Sequence, residues 1–240
     1  MSLVKVNQVS YTKGRKQIVK DLNFQLESGK IVALLGENGS GKTTIIRLLA
    51  GLALRWQGEI TLGNQKVGTA TKGFTALLAD LGDFPSDFSV QQVLDFYETM
   101  YGDFDLGKAQ QLLTFMELEN EDRLKNLSRG NREKLALVVT LSRKAQIYLL
   151  DEPLSGIDLL SREKIIQSLV RWFDEDSLVL ITTHQLSEIE NIVDEVLILK
   201  DKTIALQADL ETIREEEGIG LEELYRQTML ETRRDSHGLY

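Results

Sequence analysis

The chain has 240 residues, 42% hydrophobic and 27% charged, which suits one large globular domain or a domain with an insert and suggests neither disorder nor a fibre. It holds no cysteine, which excludes a disulfide frame, thiolate catalysis and cysteine-ligated zinc. The net charge of −9, from 28 basic and 37 acidic residues, is opposite to what generic nucleic-acid backbone binding prefers.

Residues 3–27 alternate apolar and polar, a strand pattern with one solvated face. The uninterrupted run Ile31-Val32-Ala33-Leu34-Leu35 then reads as a strand buried on both faces. Directly after it comes Gly36-Glu37-Asn38-Gly39-Ser40-Gly41-Lys42-Thr43-Thr44, followed by a helix through Ile45 to Ala50 that ends at Gly51. Residues 57–79 hold short strand-like pieces broken by Gly58, Gly63, Gly68 and Gly73. From about 84 to 142 the period turns helical, with Val90, Val93, Leu94 and Tyr97 on one face and Leu112, Leu113 and Met116 on another. Strand patterns return at 147–150, 178–181 and 196–199, separated by amphipathic helices. The expected class is α/β: a P-loop NTPase core with a mostly parallel sheet, an antiparallel β part at the N-terminus, and an inserted helical subdomain. It reads as one domain, with a core at 1–83 and 143–208, the insert at 84–142 and a charged helical tail at 209–240. The basic residues Arg129, Arg132, Lys134, Arg143 and Lys144 are expected on a solvated helix face.

No apolar run approaches the roughly 18–20 residues that span a bilayer. The N-terminus is polar by Lys5, so no signal peptide is expected and the chain reads as cytoplasmic.

The glycine-rich segment carries the chemistry. A strand, this turn and a helix N-terminus make an anion site: the glycines admit a close backbone approach, the amides point inward, and the helix dipole favours negative charge. Lys42 would reach the β- and γ-phosphates, and the Thr43 hydroxyl would hold Mg²⁺. Asp151 and Glu152 end a buried strand, on the sheet edge that faces ligands. There Asp151 would hold Mg²⁺ through water, and Glu152 would orient or deprotonate the attacking water. Two histidines occur. His184 follows a strand to the same edge, where a neutral imidazole could hydrogen-bond the γ-phosphate; His237 lies in the tail, where no role is expected.

The order Gly36–Thr44, then Leu127-Ser128-Arg129-Gly130-Asn131, then Ile147–Pro153, then Ser155-Gly156-Ile157-Asp158, then Thr182-Thr183-His184 resembles the ATP-binding cassette of ABC transporters over 3–208. The element at 127–131 discriminates, since other P-loop classes lack it. By this resemblance Ser128 and Gly130 belong to a signature motif that caps the γ-phosphate bound to the opposite subunit; Ser128 is a suitable helix N-cap. Also by resemblance, Tyr11 stacks on adenine, Asp158 sits in the loop crossing the dimer interface, and the helical insert docks on a transmembrane partner. ATP and Mg²⁺ are the implied ligands. The implied partners are a permease and a second ATPase subunit, most simply a homodimer, with no nucleic acid. The protein would then lie on the inner face of the cell membrane. Asp80 stands where cassettes usually place a Mg²⁺-ligating glutamine, and Arg129 stands where glycine is commonest; a basic residue there resembles some bacterial export-type cassettes. A soluble ABC ATPase acting on nucleic acid or ribosomes is the alternative. A GTPase is disfavoured by the absence of Asn-Lys-x-Asp, and a purely regulatory cassette by the presence of Glu152 and His184.

Overall fold

In the computed structural model the described residues are 2–235, with side chains described for 2–230; His237 lies outside them. The alternating segment forms two long antiparallel strands, β1 (Ser2–Lys13) and β2 (Lys16–Glu27), joined at Gly14. The apolar run is β3 (Lys30–Gly36), and the glycine-rich loop feeds α1 (Lys42–Leu49). This helix opens at Lys42 rather than Ile45, because the turn closes at Gly41, whose carbonyl accepts from Ile45 N–H at 3.0 Å. Three short strands follow, β4 (Gln57–Leu62), β5 (Gln65–Lys66) and β6 (Thr75–Leu77).

The helical stretch comprises α2 (Val90–Met100), α3 (Leu106–Met116) and α4 (Arg129–Leu141). Ser89 starts α2 with a full capping box, its hydroxyl accepting from Gln92 N–H while the Gln92 side chain accepts from Ser89 N–H. Then come β7 (Ile147–Asp151), α5 (Leu159–Trp172), β8 (Leu178–Thr182), the one-turn α6 (Leu186–Ile189), β9 (Glu195–Lys200) and β10 (Thr203–Asp209). The tail is two helices, α7 (Leu210–Glu217) and α8 (Leu221–Asp235), divided at Gly218, whose φ of +68° ends the first.

One sheet has four strands in the order β2-β1-β4-β5 and is antiparallel. The other has six, β10-β9-β3-β8-β7-β6, parallel except for β10. β10 alternates between exposed and half-buried residues and carries no fully buried one, so this edge strand leaves little sequence signal. Strand β3 shows the layering. Val32 and Leu34 face a core shared with α1 and the antiparallel sheet, while Ile31, Ala33 and Leu35 face a second core under α2–α5. Each fully buried leucine here stabilises the fold by about 1.5–3 kcal/mol relative to exposure.

The expectation of a solvated basic face holds for Arg129, Arg132 and Lys144 and fails for Lys134 and Arg143. Arg143 is buried because it joins elements: its guanidinium donates to Asp103 Oδ1 and Oδ2 at 3.1 and 2.9 Å and to the Thr75 carbonyl at 2.9 Å. Removing Asp103 would leave that charge uncompensated, at a cost of about 3–5 kcal/mol. Among the described residues no helix is long and apolar enough to cross a membrane.

Candidate functional site

Register sets the site. Leu34 on β3 pairs with Thr182 on β8, and Thr182 pairs with Asp151 on β7, so three parallel strands end at one level. Gly36, Asp151–Glu152 and Thr183–His184 therefore leave the sheet along one edge.

The loop after β3 is built for close approach. A Cβ on Gly36 would lie 2.7 Å from the Leu199 carbonyl and 2.8 Å from Ser40 Oγ. Gly41 has φ +122°, and a Cβ there would press on Val19 at 3.0 Å. Lys42 is buried, and its ammonium donates to the carbonyls of Gly36 at 2.7 Å and Glu37 at 3.2 Å. Ser40 Oγ is buried without a hydrogen-bond partner among the described residues. An unused hydroxyl, a lysine folded over the loop and the N-terminus of α1 together fit a phosphate group. Asn38, Gly39 and Thr43 are exposed and Thr44 half-buried around it. Tyr11 is half-buried and pairs across the strands with Val19, the residue that a Cβ on Gly41 would meet.

At the end of β7, Asp151 Oδ1 accepts from the Thr182 hydroxyl at 2.6 Å, and that hydroxyl accepts from Glu152 N–H at 2.9 Å. Glu152 takes the left-handed conformation, φ +53°, a strain of about 1–3 kcal/mol that turns its side chain off the strand direction. Its Oε2 lies 2.9 Å from Nδ1 of His184. The Asp151 carboxylate and Thr43 hydroxyl are hard oxygen donors of the kind that suits Mg²⁺. Thr182 is a bridging residue that the sequence marks only by a hydroxyl closing the all-apolar run 178–181.

A second cluster forms where α4 and α5 begin. Ser128 caps α4, accepting from Asn131 N–H at 3.2 Å. Asp158 caps α5, accepting from Ser161 N–H at 3.0 Å, and this backbone bond, then the Ser161 hydroxyl, holds its pKa below the usual carboxylate value. Gly130 lets the two ends meet: a Cβ there would lie 3.0 Å from Ser161 Oγ and 3.1 Å from Asp158 Oδ2. The Arg129 guanidinium covers Gly156, 2.5 Å from where a Cβ would be. Asp80 is a local cap, its Oδ1 accepting from Gly82 N–H at 2.8 Å.

Comparison with known proteins identifies the family. A family model described as "ABC transporter" matches residues 19–155. The ABC transporter ATP-binding protein YtrB of Bacillus subtilis (strain 168) is 30% identical over 217 residues, 89% of this chain and 74% of that protein. The aliphatic sulfonates import ATP-binding protein SsuB 2 of Pseudomonas aeruginosa (strain UCBPP-PA14) is 30% identical over 207 residues, 84% of this chain and 73% of that protein. A solved structure titled as an ATP-binding subunit of an ABC transporter superposes with a TM-score of 0.83 at 22% identity, covering 95% of this chain and 99% of the other, a likeness of fold. A phosphate-fitting loop beside a carboxylate–imidazole pair, matched by that family across most of the chain, places this protein in the ABC transporter family as an ATP-binding subunit that hydrolyses ATP.

Proposed function

We propose that two copies of this chain pair head to tail around two ATP with Mg²⁺ and drive a separate membrane permease from the cytoplasmic face. The observation that carries the reading is the Glu152–His184 pair at the sheet edge that also bears the Lys42 loop. Lys42 and the α1 amides would hold the phosphates, exchanging the loop carbonyls that the ammonium now meets. Thr43 and Asp151 would hold Mg²⁺, with Asp80 a third candidate from the sequence. The ion, when bound, would neutralise charge on the β- and γ-oxygens. Glu152 takes the proton of the attacking water, and His184 keeps that carboxylate and the water in line. Tyr11 flanks the base. Ser128 and Gly130, at the start of α4, present amides and helix dipole to the phosphate on the other copy. Asp158 bridges the two sites, and closed point-group pairing gives each copy the same role.

A groove where the helical stretch 84–142, which we take as a subdomain, meets the core at 1–83 and 143–208 supports the permease. One cavity of about 300 Å³ is lined by Leu52, Lys72, Tyr97, Tyr101 and Arg143, and another of about 370 Å³ by Asp80, Phe84, Pro85, Phe88 and Phe96. Stacked rings of Phe84, Tyr97 and Tyr101 join them. Leu52 and Phe96 leave apolar surface exposed in this groove, as a protein-docking surface does. The burial of Lys134 and Arg143 weakens the basic patch that a nucleic-acid partner would use. Purification of the tagged chain from membranes in mild detergent tests the reading. A membrane protein should come with the wild type and be lost from a Leu52→Ser/Phe96→Ser variant; its retention by that variant would count against the groove, and its absence from the wild type against the permease.

A further inference from the structure

The one-turn helix α6, which begins just after His184, is held from two sides. From α5, Arg162 Nη1 donates to Glu188 Oε1 at 2.8 Å while Nη2 donates to the Ile157 carbonyl at 3.2 Å. Ile157 precedes Asp158, whose carboxylate packs on Gly130. From the other side, Glu190 Oε1 accepts from the N–H of Leu221, the first residue of α8, at 3.1 Å, and the Glu190 carbonyl accepts from Arg214 Nη2 at 2.6 Å. A four-residue helix has almost no stability of its own, so its place is set by Ile189 in the core, by Leu186 packed against it, and by these tethers. Arg162 and Glu188 are both partly buried, and Arg162 Nε is buried without a partner among the described residues.

We infer that Arg162 is a positioning residue for hydrolysis. Its planar fork ties the backbone beside Asp158 to the helix that follows His184, so the imidazole takes its place beside Glu152 only when the segment before α5 is itself in place. Lysine offers a point charge and no fork, so it cannot make both bonds in this geometry. The inference rests on the proposed role of the Asp158 segment at the junction of two copies, and it gives that segment an effect on the chemistry of its own subunit. His184 would then respond to pairing through a contact made within one chain, without touching the partner.

The experiment is steady-state ATP hydrolysis by the full chain carrying Arg162→Met or Glu188→Ala. The expected result is a fall in kcat of about tenfold, less than the roughly 10²-fold that a misplacement of about 1 Å can cost. The KM for ATP should stay within about twofold, since ground-state binding is untouched. Glu188→Gln keeps an acceptor oxygen for Nη1 and should stay near wild type. The double variant Arg162→Met/Glu188→Ala should be no slower than either single one. ATP-driven pairing of Arg162→Met/Glu152→Gln should match that of Glu152→Gln alone. An unchanged kcat in Arg162→Met, losses that multiply in the double variant, or a rise in KM alongside the fall in kcat would each overturn the inference. If Arg162→Met does not fold, the contrast between Glu188→Ala and Glu188→Gln decides it. If Glu152→Gln alone does not pair with ATP, the shared-site reading fails, while the Arg162–Glu188 coupling in kcat is still read separately.

Discussion

Nδ1 of His184 stands 2.9 Å from Oε2 of Glu152, a contact between residues that leave adjacent strands, β8 and β7. A proton on Nδ1 makes the bond charge-assisted and fixes one oxygen of the carboxylate, leaving the other for the attacking water. His184→Ala should therefore retain ATP binding and lose turnover by on the order of 10²-fold, the low end of general acid–base effects. Parallel measurements of nucleotide affinity and kcat check this. A variant as fast as wild type would remove His184 from the catalytic account.

Lys42 binds two loop carbonyls from a buried position, so its ammonium is already oriented before nucleotide arrives. Lys42→Ala should weaken ATP binding by about 10–100-fold, the worth of one hydrogen bond to a charged group, and abolish hydrolysis. Binding of a fluorescent ATP analogue reads the first effect. Unimpaired affinity would mean that the phosphates lie elsewhere.

The Asp80 carboxylate is engaged in capping the turn at 81–83, and it contributes to raising the pKa of Glu133, after the larger effect of burial. If Asp80 faces the metal as the resemblance implies, a carboxylate held back by this cap would repel the γ-phosphate without ligating the ion. Asp80→Asn, which keeps a capping oxygen and removes the charge, should raise basal ATPase at saturating ATP by about two- to fivefold, given that ~1 kcal/mol corresponds to a factor of five. Asp80→Gln should do the same with a less stable turn. Slower turnover in both, with a higher Mg²⁺ requirement, would instead identify Asp80 as a ligand.

Three helices begin with an aspartate whose pKa is held down chiefly by a backbone N–H: Asp105 by Lys108, Asp158 by Ser161 and Asp209 by Thr212. A lowered folded-state pKa contributes stability that is fully present above the unfolded carboxylate value of about 3.9 and is lost as pH falls through the lower folded values. Urea unfolding at a series of acidic pH values should show this loss. Replacing all three by asparagine, which caps without titrating, should flatten the slope in that window. An unchanged slope would assign acid sensitivity to other carboxylates.

Much of the fold was legible because its strands are short, apolar and buried on both faces, as at 31–35 and 147–150. The Gly36–Thr44 loop was legible because phosphate chemistry restricts both residue types and spacing. What escaped depends on pairing across distance. β10 has only β9 to lean on and no buried residue to mark it. Arg143 looks like a surface cation until Asp103 and the end of β6 close around it. Thr182 becomes a bridge only when register sets it beside Asp151, and the Arg162–Glu188 bond spans α5 and α6 with β8 between them in sequence.

The central claim is that each nucleotide is shared between two copies, with α4 of one facing the loop of the other. The most direct measurement is the light-scattering mass of Glu152→Gln with ATP and Mg²⁺, at protein and nucleotide concentrations well above the binding constant. The amide keeps the shape of the carboxylate and removes the base, so ATP stays bound. The expected mass is twice that of the chain with ATP and the monomer mass without it, with no pairing when Ser128→Arg is added. A mass that remains monomeric with ATP, or that doubles equally in the Ser128→Arg variant, would contradict it.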